Sequence, residues 1–145
     1  MGLELLLSLF CGAGGLDLGF EKEKFDIELA FDIREPAVTT YNHNRRTKHA
    51  HVRDISKLSV AEIDGIYGGE FKPTGVIGGP PCQSFSYSNV NSCDSDLRHD
   101  LPFRYAALLK ELNARSPIHF FVFENVLGLK SEKHIEKYEK FKVAF

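Results

Sequence analysis

Residues 78–84 read Gly-Gly-Pro-Pro-Cys-Gln-Ser and directly follow the apolar pair Val76-Ile77. Glycine lets a chain bend where side chains would collide, and each proline fixes φ and removes a backbone donor. Such a run cannot prolong a central strand or enter a helix interior. It must end one element and hold a rigid corner, with the Cys82 thiol mounted at the end of a strand. A thiol on a stiff mount facing a cleft suits nucleophilic chemistry once deprotonated. The same local sequence also fits a buried structural cysteine in a tight turn. The surrounding chain decides between them.

Glu4 to Phe10 is apolar at nearly every position, as a strand buried on both faces would be. It runs into Cys11-Gly12-Ala13-Gly14-Gly15 and then a helical stretch, Leu16 to Phe20. Strand, glycine turn and helix start form a nucleotide-type cofactor site, because glycines admit a ligand to the backbone and a helix N-terminus offers free N–H groups. A plain tight turn is the alternative. The spacing is not that of a dinucleotide fingerprint: Gly12 and Gly14 fit, but Asp17 occupies the third position, where helix–strand packing wants a small residue. NAD and FAD are therefore disfavoured, and with them a nicotinamide oxidoreductase.

A second strand, Ile27 to Phe31, ends at Asp32, about 20 residues after the glycines, where a carboxylate can accept hydrogen bonds from ribose hydroxyls. Pro36 opens a helix ending near residues 42–44, with Val38 and Tyr41 facing inward. Arg45-Arg46-Thr47-Lys48, with Arg53 nearby, is the one basic cluster and reads as a solvated loop. His49 and His51 alternate with apolar neighbours and lack a matching pair of ligands, so no metal site is expected. Val52-Arg53-Asp54-Ile55 reads as the end of a third strand, and Val60 to Ile66 as a helix. Ser84 to Asp100 is a polar, aperiodic loop of the length that functional lids have. Leu101, Tyr105, Leu108, Leu109 and Leu112 recur at helical spacing and mark a core-facing stripe. Pro117 breaks that helix, and His119 to Phe123 forms a strand ending in Glu124-Asn125-Val126.

The predicted fold is therefore α/β, a mostly parallel sheet with helices on both faces, in one domain covering residues 1–145. The rim at the carboxyl ends of its strands collects Gly12, Asp32, Asp54, Cys82 and Glu124, and that rim is the ligand crevice of open α/β sheets. Read singly, Asp32 could cap a helix and Glu124 could serve a nearby helix N-terminus; five chemically apt groups on one rim favour the functional reading. A formal charge of −2 gives no electrostatic footprint for nucleic acid, so phosphate contacts must come from a local patch or another polypeptide. Three cysteines without framework spacing fit a reducing, intracellular setting, and no stretch approaches the length of a membrane span.

Phe10-Cys11-Gly12-Ala13-Gly14-Gly15, Gly79-Pro80-Pro81-Cys82-Gln83-Ser84 and Glu124-Asn125-Val126, in that order, resemble the C5-cytosine DNA methyltransferases. Asp32, Asp54 and Asp96-Leu97-Arg98 with Leu101 fall where that family has its intermediate motifs. The resemblance implies a Rossmann-like methyltransferase fold with S-adenosyl-L-methionine as cofactor and S-adenosyl-L-homocysteine as product. It implies that Phe10, Gly12, Gly14, Gly15, Ile33, Ile55, Pro80 and Leu101 line the cofactor pocket, that Asp32 binds the ribose, and that Asp54 meets the adenine amine. Cys82 would attack C6 of a cytosine in double-stranded DNA, and Glu124 would engage N3 with a pKa raised by burial. Cys11 and Cys93 would be non-catalytic. A tRNA cytosine is the alternative substrate.

Two positions depart from the family's pattern: Ile33 stands where an aromatic often stacks on adenine, and Asn89 where a glycine is common. The family's arginine-containing motif, target-recognition region and C-terminal helix have no counterpart before Phe145. The segment from Lys133 carries a helical stripe, Ile135, Tyr138, Phe141 and Phe145, and the His119–Phe123 strand would be left as an apolar edge. The expectation is the cofactor-binding half of a larger or split enzyme, lacking the later strands and working with a second polypeptide or a further C-terminal region. A partner-dependent fragment that binds cofactor but is inactive alone is the other reading.

Overall fold

The computed structural model describes residues 4–81 and 101–145. Its centre is β1 (Leu5–Leu9), which pairs in parallel with β2 (Asp26–Asp32) on one side and β4 (Gly75–Gly78) on the other. β3 (Ala50–Val52) adds outside β2 and β5 (Phe120–Phe123) outside β4, giving the all-parallel order β3-β2-β1-β4-β5. The apolar runs follow from this arrangement. A strand covered on both faces needs an apolar side chain at every position, and β1 and β4 are buried almost throughout.

The covering helices are α1 (Gly15–Lys22) and α2 (Glu35–His43) on one face, and α3 (Val60–Tyr67) and α4 (Leu101–Arg115) on the other. Leu6, Ile27, Ala30 and Ile77 meet Val38 and Tyr41 on the α1–α2 face. Leu7, Leu9, Phe31 and Val76 meet Ile63, Tyr105, Leu108 and Leu112 on the α3–α4 face. Each large side chain so buried contributes about 1.5–3 kcal/mol.

Local signals set the helix ends. Pro36 lies in the first turn of α2. The Ser59 hydroxyl accepts the Glu62 amide at the start of α3, and Gly68, at φ 86°, takes the left-handed position that ends it. Register between β1 and β2 slips by one residue: Leu6 faces Ile27, but Leu7 faces Leu29. Glu28 is the extra residue, and its carbonyl oxygen lies 2.9 Å from His49 Nδ1.

One sequence expectation needs correction here. The third strand stops at Val52, so Asp54 and Ile55 lie beyond it in a turn rather than on the strand itself. The stripe from Lys133 does form a helix, α5 (Ile135–Ala144), preceded by a 3-10 turn at Leu127–Lys130. Phe141 is buried against Leu129 and meets Phe103 edge-on at 5.0 Å. Phe145 stacks on Phe121 at 5.0 Å and touches Tyr105 and Phe123.

β5 is an edge of the sheet among the described residues, as the sequence suggests, with Phe121 40% exposed. Tyr105 ties it to β4. Its fully buried hydroxyl sits between the carbonyl oxygens of Val76 (3.0 Å) and Val122 (2.9 Å), where it donates. Among the described residues no helix is long and apolar enough to cross a membrane.

Candidate active site

The chain moves to one side of β1 through β2 and β3, then returns to place β4 and β5 on the other. The carboxyl ends of β1 and β4 therefore flank the point where the strand order reverses, the usual ligand crevice of such sheets. Both sequence motifs open there.

On the first side the chain leaves β1 through Phe10, whose φ of 57° is unusual for a residue with a side chain. Gly12 and Gly14 follow at φ 56° and 87°. The Gly12 amide donates to Asp32 Oδ2 at 2.9 Å, and the Arg34 amide donates to Asp32 Oδ1 at the same distance. Asp32 is 5% exposed. It thus ties the glycine turn to the end of β2, and Oδ2, with the Gly12 amide as its one protein donor, keeps a second lone pair for a ligand hydroxyl. Arg34 Nε lies 3.4 Å from Oδ1, and its side chain is largely exposed.

Ile33, 61% exposed, presents an apolar surface on the same rim. Ile55 differs: its side chain is buried in the α3–α4 core, leaving only backbone groups to meet a ligand. Asp54 Oδ1 accepts from the Ser56 hydroxyl (2.7 Å) and amide (3.0 Å), and the hydroxyl bond holds its carboxyl below the usual range.

On the second side Gly78 is required by close approach to backbone, and Gly79 lies against a side chain. A Cβ on Gly78 would lie 2.5 Å from the Leu9 carbonyl oxygen, and one on Gly79 would lie 2.6 Å from Glu124 Oε2. The Glu124 carboxylate therefore packs directly on the backbone that leads into Pro80-Pro81. The Glu124 amide donates to Gly78 O at 2.9 Å. Asn125 Nδ2 donates to Pro80 O at 3.2 Å, while its Oδ1 accepts the Val126 amide.

Glu124 itself is exposed, so the desolvation expected of it is not supplied by the described residues. Leu101 is half-buried at the first described residue of α4, and Pro80 is buried. Cys82, Ser84, Asn89, Cys93, Asp96-Leu97-Arg98 and Asp100 lie outside the described residues. Cys11 is buried, and burial reinforced by the negative charges of Asp17 and Asp32 pushes its thiol far above the ordinary value. A thiol held that way is inert.

The structure also shows a group of side chains that sequence reasoning missed. Asp17, fully buried, accepts from Ser8 Oγ at 2.8 Å and from the Tyr41 hydroxyl at 2.7 Å. Arg45 is not in a solvated loop: its guanidinium lies 3.6 Å over the Tyr41 ring, pairs with Glu21 through Nε (2.9 Å) and Nη2 (3.2 Å), and donates to Gly14 O at 3.1 Å. The side chain is only 11% exposed because the ring and the glycine turn enclose it. A Cβ on Gly14 would fall 2.5 Å from Arg45 Nη1 and 2.7 Å from Tyr41. The sequence held one usable signal: Ser8, Asp17 and Tyr41 each interrupt an apolar face, and buried polar groups occur in hydrogen-bonded sets.

The rim fits a nucleoside cofactor by three observations. Asp32 Oδ2 has an unfilled acceptor site for a hydroxyl, Ile33 offers an exposed apolar surface to a base, and the first turn of α1 presents amides without intrahelical partners beside open space at Gly15.

Comparison with known proteins agrees with this arrangement. The family model described as C-5 cytosine-specific DNA methylase matches residues 5–145. Two curated proteins, the type II methyltransferases M.FnuDI of Fusobacterium nucleatum and M.NgoPII of Neisseria gonorrhoeae, are each 38% identical to the chain, over 90% and 89% of it respectively. The chain spans 35% of the length of each of them. Among solved structures, a protein described as a DNA modification methyltransferase encoded within an E. coli prophage superposes with a TM-score of 0.80 at 33% identity, covering 97% of this chain and 37% of that one. The S. pombe Dnmt2 methyltransferase superposes with a TM-score of 0.66 at 27% identity, covering 94% of this chain and 39% of that one.

Proposed function

Because the chain belongs to the C-5 cytosine-specific DNA methylase family, we propose that it forms the cofactor-binding and covalent-catalysis part of a DNA (cytosine-5) methyltransferase. The observation that carries this reading is the strand order. It brings the Gly12–Asp32 turn and the Gly79–Glu124 contact to the two sides of one crevice.

The cofactor would be held by the glycine turn from Phe10 to Gly15, by Asp32 at the ribose, and by Ile33, Asp54 and the Ile55 backbone around the base, with Pro80 and Leu101 completing the pocket. When bound, S-adenosyl-L-methionine supplies an electrophilic methyl group to C5 and leaves as S-adenosyl-L-homocysteine.

The chain's own residues do the rest. The Cys82 thiolate adds to C6 of the target cytosine, which moves electron density to C5 and makes that carbon nucleophilic. Glu124 shares a proton with N3 and stabilises the charge that develops on the ring. Loss of the C5 proton then restores the double bond to C6 and expels Cys82. The stacked base must first leave the duplex, at a cost of about a few kcal/mol. The target base, once stacked over the site, would supply the desolvation that Glu124 lacks in the described residues.

The formal charge of −2 leaves most phosphate contacts to other residues, so target recognition is assigned to protein outside this chain, in the same polypeptide or a partner. The apolar edge at β5 and the 35% coverage of the relatives support that assignment. A stable monomer of this chain with full activity in sedimentation and methylation assays would overturn it. The setting we propose is intracellular.

The catalytic reading is tested by mixing the protein and cofactor with DNA carrying 5-fluorocytosine. An adduct that resists SDS and is lost in Cys82→Ser is expected. Cofactor binding without an adduct, in the presence of the recognition part, would refute the covalent role.

A further inference from the structure

We infer that Arg45 is a positioning residue for the cofactor site: it fixes the peptide plane between Gly14 and Gly15, and so aims the Gly15 N–H into the crevice. The inference rests on the cofactor reading above. The carbonyl oxygen of Gly14 accepts both the Leu18 amide at 3.0 Å, along the helix, and Arg45 Nη2 at 3.1 Å, from the side. In a trans peptide the C=O and N–H point in opposite directions. A Gly14 carbonyl held down α1 therefore turns the Gly15 N–H outward from the first turn, where helix amides have no intrahelical partner.

Gly14, at φ 87°, has a wide choice of conformations, and without that second bond its peptide would be held by the Leu18 amide alone, in a helix turn that frays easily. Arg45 is held in turn from two sides: Glu21 takes two of its donors, and the Tyr41 ring lies beneath it, itself fixed by Asp17, which Ser8 of β1 also engages. A lysine keeps the charge for Glu21, but its single ammonium cannot reproduce the planar fork that reaches Glu21 and Gly14 together.

The test compares Arg45→Lys with Arg115→Lys, whose ion pair with Asp64 (2.7 Å) joins α3 to α4. S-adenosyl-L-homocysteine affinity is measured by calorimetry, and the Gly15 amide is followed in protein labelled with ¹⁵N-glycine, without ligand. Arg45→Lys is expected to bind about tenfold more weakly and to show a broadened or doubled Gly15 peak. Arg115→Lys should keep wild-type affinity and a single peak at a comparable loss of melting temperature. An Arg45→Lys protein with a sharp, unshifted Gly15 peak overturns the assignment, as does affinity within about twofold of wild type. Failure of the wild-type protein to bind S-adenosyl-L-homocysteine would instead overturn the cofactor reading, and the glycine spectrum separates the two failures.

Discussion

Replacing Gly79 by alanine would place a methyl group 2.6 Å from Glu124 Oε2, well inside van der Waals contact. The Gly79 backbone lies outside the left-handed region, so alanine fits its φ without strain. The Glu124 carbonyl oxygen, at 3.4 Å from the new carbon, is a tolerable neighbour. Relief must come from the carboxylate, which has to retreat from 2.6 Å to at least the 3.4 Å of ordinary contact, a shift of about 0.8 Å. Glu124 is exposed and can swing away, so stability should change by no more than about 1 kcal/mol. A displacement near 1 Å in a positioned catalytic group costs on the order of 100-fold in rate. Gly79→Ala should therefore lower the single-turnover rate of methyl transfer by about 10- to 100-fold, with S-adenosyl-L-homocysteine affinity unchanged. The assay is transfer of tritiated methyl to DNA at saturating cofactor, run beside urea unfolding of the same sample. A rate within about threefold of wild type would show that the Gly79 contact does not set the working position of Glu124, and the reasoning from close approach would fail.

The remaining expectations concern the support of the site. Gly14→Ala forces a side chain into a φ of 87° and against Arg45 and Tyr41, so urea unfolding should show a loss of about 2 kcal/mol or more. Burial raises the Asp17 pKa against the opposing hydrogen bonds from Tyr41 and Ser8. The folded state therefore holds that proton more tightly than the unfolded chain, and Asp17 costs stability as pH rises above the ordinary aspartate value of about 4. Urea midpoints from pH 4 to 7 should show this downward contribution in wild type and its absence in Asp17→Asn. Tyr105→Phe removes the one donor shared by the Val76 and Val122 carbonyls and should cost about 1 kcal/mol in urea unfolding, through faster fraying of β5. Cys82→Ser should abolish turnover while leaving cofactor affinity within about 1 kcal/mol, as measured by calorimetry.

Much of this arrangement is legible in the residues. Continuous apolar runs such as Leu5–Leu9 and Val76-Ile77 announce strands buried on both faces, and Pro36, Gly68 and the Tyr105–Leu112 stripe locate helices through strong local rules. Asp32 is found from its distance beyond the glycines because β1, α1 and β2 have ordinary lengths. What the sequence hides is pairing across long separations. Arg45 reads as solvated since its partners, Gly14 and Glu21, lie 31 and 24 residues away, and nothing local names them. The third strand looks longer than it is because the β-branched Ile55 reads as its continuation, whereas the pairing with β2 ends at Val52. Glu124 is placed correctly at a strand end, but its exposure depends on what covers the rim, and periodicity does not report that.

The central position of β1 carries a consequence for synthesis. Its partners come from very different distances: Leu6 pairs with Ile27 on one edge and with Gly75 on the other. A chain made from its N-terminus can zip β1 to β2 early, while the second edge waits for residues 75–78. At about 5–20 residues per second, the interval between the end of β2 and the arrival of β4 lasts roughly several seconds. Through that time a strand of four leucines and a serine presents an unpaired edge, the template on which other chains add. The nascent protein thus exposes the edge of its central strand before the crevice can exist.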